Sequence, residues 1–163
     1  MIILGIDPGS IRTGYGILNT TNDILAVLDY GLIQTNPKHS FPLRLKAIYD
    51  NIILLIEKYS PESAAVEDTF YAKNVKSALK LAQVKGVALL AAVQKGLKVT
   101  EYSPLDIKKA VAGYGLAEKN QIREMVQRIL KIPLEGKAFD TSDALAIAIC
   151  HAHSVRFSTL TET

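Results

Sequence analysis

The stretch Ile2-Ile3-Leu4-Gly5-Ile6-Asp7-Pro8-Gly9-Ser10 decides how the rest of the chain reads. Residues 2–6 are apolar without alternation, the pattern of a strand covered on both faces. Asp7-Pro8-Gly9-Ser10 then ends the run with strong turn chemistry. Working outward, residues 13–18 read as a second strand with glycines at 14 and 16. Residues 24–33 contain a third, its apolar character broken by Asp29, Tyr30 and Gly31. Strands on such short connections predict an antiparallel meander of three.

Beyond the meander the hydrophobic period changes. Leu45, Ile48, Ile52, Leu55, Ile56 and Tyr59 recur every three or four residues, which predicts an amphipathic helix ending near Ser60-Pro61. Residues 63–66 form a short apolar strand running into Glu67-Asp68, and residues 98–102 form another. Between them, residues 74–95 predict a long helix with Val75, Ala78, Leu79, Ala82, Gly86, Leu89 and Val93 along one side. Gly86 within it costs about 1 kcal/mol against alanine unless it permits a close contact. Three more helices follow, over residues 104–112, 119–130 and 141–152. The last contains Ala144-Leu145-Ala146-Ile147-Ala148-Ile149-Cys150, apolar on every side, so it should lie covered against the sheet. The expectation is an α/β fold: a central mixed five-stranded sheet, including the three-strand meander, flanked by helices on both sides. One domain over residues 1–154 accounts for the pattern, with a flexible C-terminal tail over 155–163.

Composition narrows the class. A chain of 163 residues, 48% hydrophobic and 21% charged, can bury a real core and does not read as disordered. It holds no apolar run long enough to span a bilayer, and no secretory pattern opens it. A single cysteine, Cys150, has no intrachain partner, so a reducing cytoplasm is expected. The net charge of +3 and pI near 8.9 are only mildly basic. Acids gathered for metal binding would mask a basic surface in any such total.

Four acids carry the chemistry: Asp7, Glu67, Asp140 and Asp143. Each has an ordinary reading. Asp-Pro-Gly makes turns, a glutamate at a strand end is usually just solvated, and aspartates opening a helix cap it and favour its dipole. Together they read differently. Each terminates or opens a buried element, where backbone rigidity suits a metal ligand. Asp140 and Asp143, three apart, share a helical face. Clustered carboxylates without cations would repel one another. Oxygen-only donors select Mg2+ or Mn2+ over zinc. Two such ions stabilise the attacking and leaving oxygens of a phosphodiester undergoing hydrolysis.

These residues sit in longer motifs. Gly5-Ile6-Asp7-Pro8-Gly9 with Thr13-Gly14-Tyr15-Gly16, then Glu67-Asp68-Thr69-Phe70-Tyr71-Ala72-Lys73-Asn74, come first. Gly113-Tyr114-Gly115 with Ala117-Glu118-Lys119, and Asp140-Thr141-Ser142-Asp143-Ala144-Leu145-Ala146, complete the set. The chain resembles the RuvC Holliday-junction resolvases over nearly its whole length. The first motif alone is shared with actin-like ATPases and sugar kinases; the second and fourth are specific. The resemblance implies an RNase H-like fold and a homodimer that resolves four-way DNA junctions by paired nicks. It also implies that Asp7, Glu67, Asp140 and Asp143 are catalytic and metal-binding. Mg2+ is the implied cation, with Mn2+ able to substitute and two ions per site during catalysis. The RuvA–RuvB branch-migration complex is the implied partner.

Lysines 73, 76, 80, 85, 108, 109 and 119 and Arg123 punctuate the chain between residues 73 and 123. Such runs usually form solvated faces. Beside a metal site they become phosphate contacts giving sequence-independent, salt-sensitive affinity. Lys73, Lys76 and Lys80 are candidates of this kind. By match to the family motifs, Lys108 and Lys119 are the candidates for the cleaved region, and Phe70 for stacking at the junction centre. Lys119 opens a helix, where a cation opposes the dipole, which points away from a purely stabilising role. His151 and His153, two apart at an expected helix end, make a poor chelate and read as C-terminal cations or bystanders. Two other classes were weighed. An actin-like nucleotide-binding enzyme needs a second domain and phosphate loop, for which the chain has no room. A related nuclease acting on RNA is the nearer alternative.

Overall fold

The computed structural model describes residues 1–22, 24–68 and 74–161, with the backbone alone for 157–161. Phe70 and Lys73 lie outside the described residues. Strand β1 (Ile2–Asp7) holds Ile3, Leu4 and Ile6 fully buried, so both its faces must be covered and both its edges paired. Antiparallel β2 (Arg12–Thr21) takes one edge and parallel β4 (Ser63–Glu67) the other. Strand β3 (Ile24–Gln34) pairs antiparallel with β2, and β5 (Lys98–Tyr102) pairs parallel with β4. The sheet order is β3-β2-β1-β4-β5, which is the expected mixed five-stranded sheet with its meander.

Strand β3 covers the expected residues, and Asp29, Tyr30 and Gly31 lie within it. The register shifts beside Ile17 and Leu18, so that Asp29 and Val27 are their partners, and the strand continues through the bulge. Asp29 is retained for its contacts: Tyr59 donates its hydroxyl to it at 2.5 Å and Tyr15 at 3.4 Å. Burial, with the neighbouring Asp29 charge, pushes the Tyr15 phenol up to about 12.

Side chains alternate across a strand, so each face of the sheet builds its own core. Leu4, Ile6, Ala64 and Val66 face α1 (Phe41–Tyr59) and α2 (Val75–Gln94), where Ile48, Ile52, Ile56, Val84, Ala88 and Ala91 meet them. Ile3 and Ala65 face the other way, toward α3 (Pro104–Ala112), α4 (Lys119–Leu130) and α5 (Phe139–Thr161). By the same alternation, Asp7 and Glu67 point to the α5 side.

Helix α5 is the covered helix that its sequence predicts, with Ala144 through Cys150 all buried. Its ends differ from expectation. It starts at Phe139, and its backbone runs on to Thr161, past the expected end near residue 152. No glycine or proline after Ser154 interrupts it. His151 is consequently an interior residue and not a C-terminal cation. It is buried between the Tyr102 hydroxyl, 2.9 Å from Nδ1, and Ser63 Oγ, 3.0 Å from Nε2. Among the described residues no helix is long and apolar enough to cross a membrane.

Burial, with a smaller effect of Lys98, lowers the His151 pKa from its ordinary 6.5. The folded chain thus binds fewer protons than the unfolded chain at mildly acid pH, and stability falls as pH drops below about 6.5. Melting temperature should fall from about pH 7.5 to about pH 5.5. His151→Gln keeps hydrogen-bonding groups without the titration, and should show a visibly smaller fall. Equal falls in the two proteins would exclude His151 as the source.

Candidate active site

Asp7 and Glu67 end adjacent parallel strands, one step beyond the paired residues Ile6 and Val66. The carboxyl ends of parallel strands are where α/β sheets place ligands. The backbone N–H of Asp68 donates to the Tyr102 carbonyl at 2.8 Å, which ties the end of β4 to β5 beside Glu67. Lys85 adds a bridge from α2, pairing with Asp68 at 2.5 Å and with Glu101.

The other two acids arrive on α5, and glycines set how close they come. A Cβ on Gly14 would stand 1.9 Å from the carbonyl oxygen of Asp140. One on Gly5 would stand 2.3 Å from that of Ala144. With hydrogen in those places, the first turns of α5 rest directly on β1 and β2. Asp143 then joins Asp7 and Glu67 around one cavity of about 310 Å3, walled by Pro104, Ile107, Ile122, Ala146 and Ile147. Asp140 stands apart from the lining, 3.8 Å from Arg12 Nε. Neither aspartate caps α5 through a side-chain hydrogen bond among the described residues, so the capping reading does not account for them.

Electrostatics show how strongly these groups feel one another. Burial raises the Asp7 carboxyl well above the ordinary carboxylate range, and the charges of Asp143, Glu67 and Asp140 add to it, with Lys119 opposing. Burial raises Asp143 as well, against the pull of Lys119. Lys119 Nζ lies 3.1 Å from Asp143 Oδ2. Burial alone would lower its pKa, but Asp143, Asp7 and Asp140 hold it above its ordinary value. One lysine among the acids leaves negative charge in excess. Among the described residues, no three acids are yet drawn tightly around one ion position. The donor set nonetheless fits a hard divalent cation: carboxylate oxygens line the cavity, and no cysteine or histidine does.

The remaining candidates divide. Lys108 and Lys119 line the cavity. Lys76 and Lys80 ride on α2, across the sheet from it. Sequence reading missed Arg12, whose place at the start of β2, just past the loop after Asp7, was its available signal. Arg123, read with the lysines as a phosphate contact, donates to the Lys137 carbonyl at 2.9 Å and lies over the Phe139 ring at 3.7 Å.

A carboxylate cavity faced by two lysines thus lies at the carboxyl ends of β1 and β4 on a mixed α/β sheet. The family model for the crossover junction endodeoxyribonuclease RuvC matches residues 3–151. The crossover junction endodeoxyribonuclease RuvC of Geobacter sp. strain M21 is 51% identical over 160 residues, covering 98% of this chain and 97% of that one. A structure of T. thermophilus RuvC in complex with a Holliday junction substrate superposes with a TM-score of 0.91 at 31% identity, over 98% and 97% of the two chains. The yeast mitochondrial Holliday junction resolvase Ydc2, at 14% identity and a TM-score of 0.63 over 98% and 85% of the two chains, shares the fold. The chain belongs to the RuvC family of crossover junction endodeoxyribonucleases.

Gly14→Ala should force α5 off the sheet. The expected result is a loss of about 1–3 kcal/mol in denaturant unfolding, as for other overpacked sites. Nuclease activity should fall further than the unfolded fraction explains, because Asp140 and Asp143 move with the helix. Unchanged stability would show that α5 has room the geometry denies it.

Proposed function

We propose that the chain resolves four-way DNA junctions as a homodimer, by paired symmetric nicks, with Mg2+ as the resident cation. The observation that carries this reading is the cavity where Asp7, Glu67 and Asp143 meet Lys108 and Lys119. Asp7, Glu67, Asp140 and Asp143 are the residues that would hold the cation. Once bound, two such ions would neutralise the acids and stabilise charge on the attacking and leaving oxygens of the phosphodiester. Mn2+, with the same preference for oxygen donors, would substitute.

The chain's own residues do the rest. Lys108 and Lys119 supply positive charge for the phosphate, and Lys119 also holds Asp143 in place. Pro104, Ile107 and Ile122 form an apolar wall that limits water around the reacting group. Hydrolysis adds water across one P–O bond, leaving a phosphate on one end of the nick and a hydroxyl on the other. Phe70, Lys73, Lys76 and Lys80 would hold DNA outside the cavity. The chain would work beside the RuvA–RuvB complex in the cytoplasm, a reading that membership of the family supports.

The dimer reading rests on α2. Val75, Leu79, Leu90 and Val93 are all more than half exposed on this helix. Ala82 and Gly86 are exposed between them, and a Cβ on Gly86 would meet nothing within 4 Å. Packing within its own chain therefore does not explain Gly86. Leu89, also expected on this face, instead packs against the core. An isologous contact along the exposed stripe would give two identical sites for two related strands.

Glu67→Gln should retain junction binding and lower the Mg2+-dependent nicking rate by at least about 100-fold, more than loss of a residue behind a ligand. Wild-type nicking by this variant, measured on a synthetic four-way junction, would remove Glu67 from the site. Leu90→Glu should shift the mass in solution from twice 17.8 kDa to that of one chain. A dimeric Leu90→Glu protein would place the interface elsewhere.

A further inference from the structure

Outside the acid cavity, positive charge gathers without counter-charge at a second place. On the α1–α2 face of the sheet, Ser10, Ser77, Lys80 and Leu81 line a cleft of about 250 Å3. Arg44 flanks it from α1 and donates from Nη1 to the Ser10 carbonyl at 3.2 Å. Its Nε is buried with no hydrogen-bond partner. Arg44 and Lys80 approach the same ring, that of Phe41, at 5.2 and 5.6 Å from its centre. Two like charges thus converge on one aromatic group. Among the described residues, no carboxylate pairs with either.

The helices deepen the imbalance. Both α1 and α2 begin at this end of the sheet, and neither has an acid in its first turn. Arg44 and Lys76 stand there instead, where a cation opposes the helix dipole and lowers stability. An arrangement that costs stability in the free protein becomes favourable once an anion sits in it. The hydroxyls of Ser10 and Ser77 complete a lining suited to phosphate oxygens. Among the described residues, the Phe41 ring beside the cleft is already approached by the two cations.

We propose that this cleft is a second phosphate seat, which grips the DNA backbone beside the cleaved segment through Arg44 and Lys80. The inference rests on the junction-resolving function proposed above. Ser10 belongs to the loop that follows Asp7, so the cleft and the acid cavity lie on opposite faces at the same end of the sheet. A strand leaving the cavity across that end meets the cleft next. Contacts of this kind position DNA without reading its sequence.

The test is the salt dependence of junction binding, with Ca2+ replacing Mg2+ to hold back cleavage. The variants are Arg44→Gln, Lys80→Gln, the double variant, and the charge-reversing Lys80→Glu. Lys46→Gln is the control, since Lys46 lies on α1 and pairs with Asp50 at 2.6 Å. Each lost contact should flatten the slope of log affinity against log salt by about 0.9, giving about 1.8 for the double variant. Lys46→Gln should keep both the wild-type slope and the wild-type cleavage rate at saturating junction with Mg2+. A folded double variant with the wild-type slope would overturn the seat while leaving the nuclease reading intact. If Arg44→Gln proves unstable, the two Lys80 variants decide alone: a wild-type slope in both overturns the proposal. A wild-type chain that binds no junction would overturn the proposed function, and the seat with it.

Discussion

Helix α5 lies closer to β1 and β2 than side chains would allow, and the site depends on that approach. Its backbone rests where Gly5 and Gly14 have only hydrogen to offer. This contact does two things at once. It buries the apolar run from Ala144 to Cys150 against the sheet, a large share of one hydrophobic core. It also sets the height of Asp143 over Asp7. The packing that stabilises the domain is therefore the packing that assembles the cavity, and rigidity there follows from stability rather than from a separate device.

Assembly of the acids works against the fold. Asp7 is raised by burial and by three other carboxylates at once, and Lys119 offsets only part of that. Such a site is held together by its surroundings: β1 and β4 paired side by side, Asp68 tied to Tyr102, and α5 pinned on glycine. A divalent cation bound among these acids would relieve their repulsion, and its binding free energy would then add to folding stability.

Much of this was legible before any coordinates. Period-2 and unbroken apolar runs placed all five strands, and helical periodicity placed α3 and α4 to the residue. What escaped notice depended on tertiary partners. The bulge that carries β3 past Asp29 answers to Tyr15 and Tyr59, one on the neighbouring strand and the other on a helix. The true length of α5 depends on nothing stopping it, and a polar tail without glycine or proline gives a weak signal either way. His151 could not be read as buried while the helix was expected to end beside it. For the site, the acids were visible because strand ends and the opening of an apolar helix are recognisable places. Arg44 was not, because its meaning lies in sharing Phe41 with a lysine far along the chain.

A nuclease of this kind has to hold a polyanion against an acidic cavity, and net charge of +3 says little about how that is done. The fold's answer is positional. Strands β1, β3, β4 and β5 all finish at the same end of the sheet, so α1 after β3, α2 after β4, α3 after β5 and α5 packed on β1 direct their N-terminal dipoles there. On one face these positive ends stand beside carboxylates that await a cation. On the other, α1 and α2 carry basic residues in place of the acids that would normally offset them. Substrate attraction is thus built into the helix starts on both faces, while the acids are confined to one cavity. Phosphates would then be drawn to this end of the sheet from either face, and under the proposed function the scissile one would sit on the side that carries the acids.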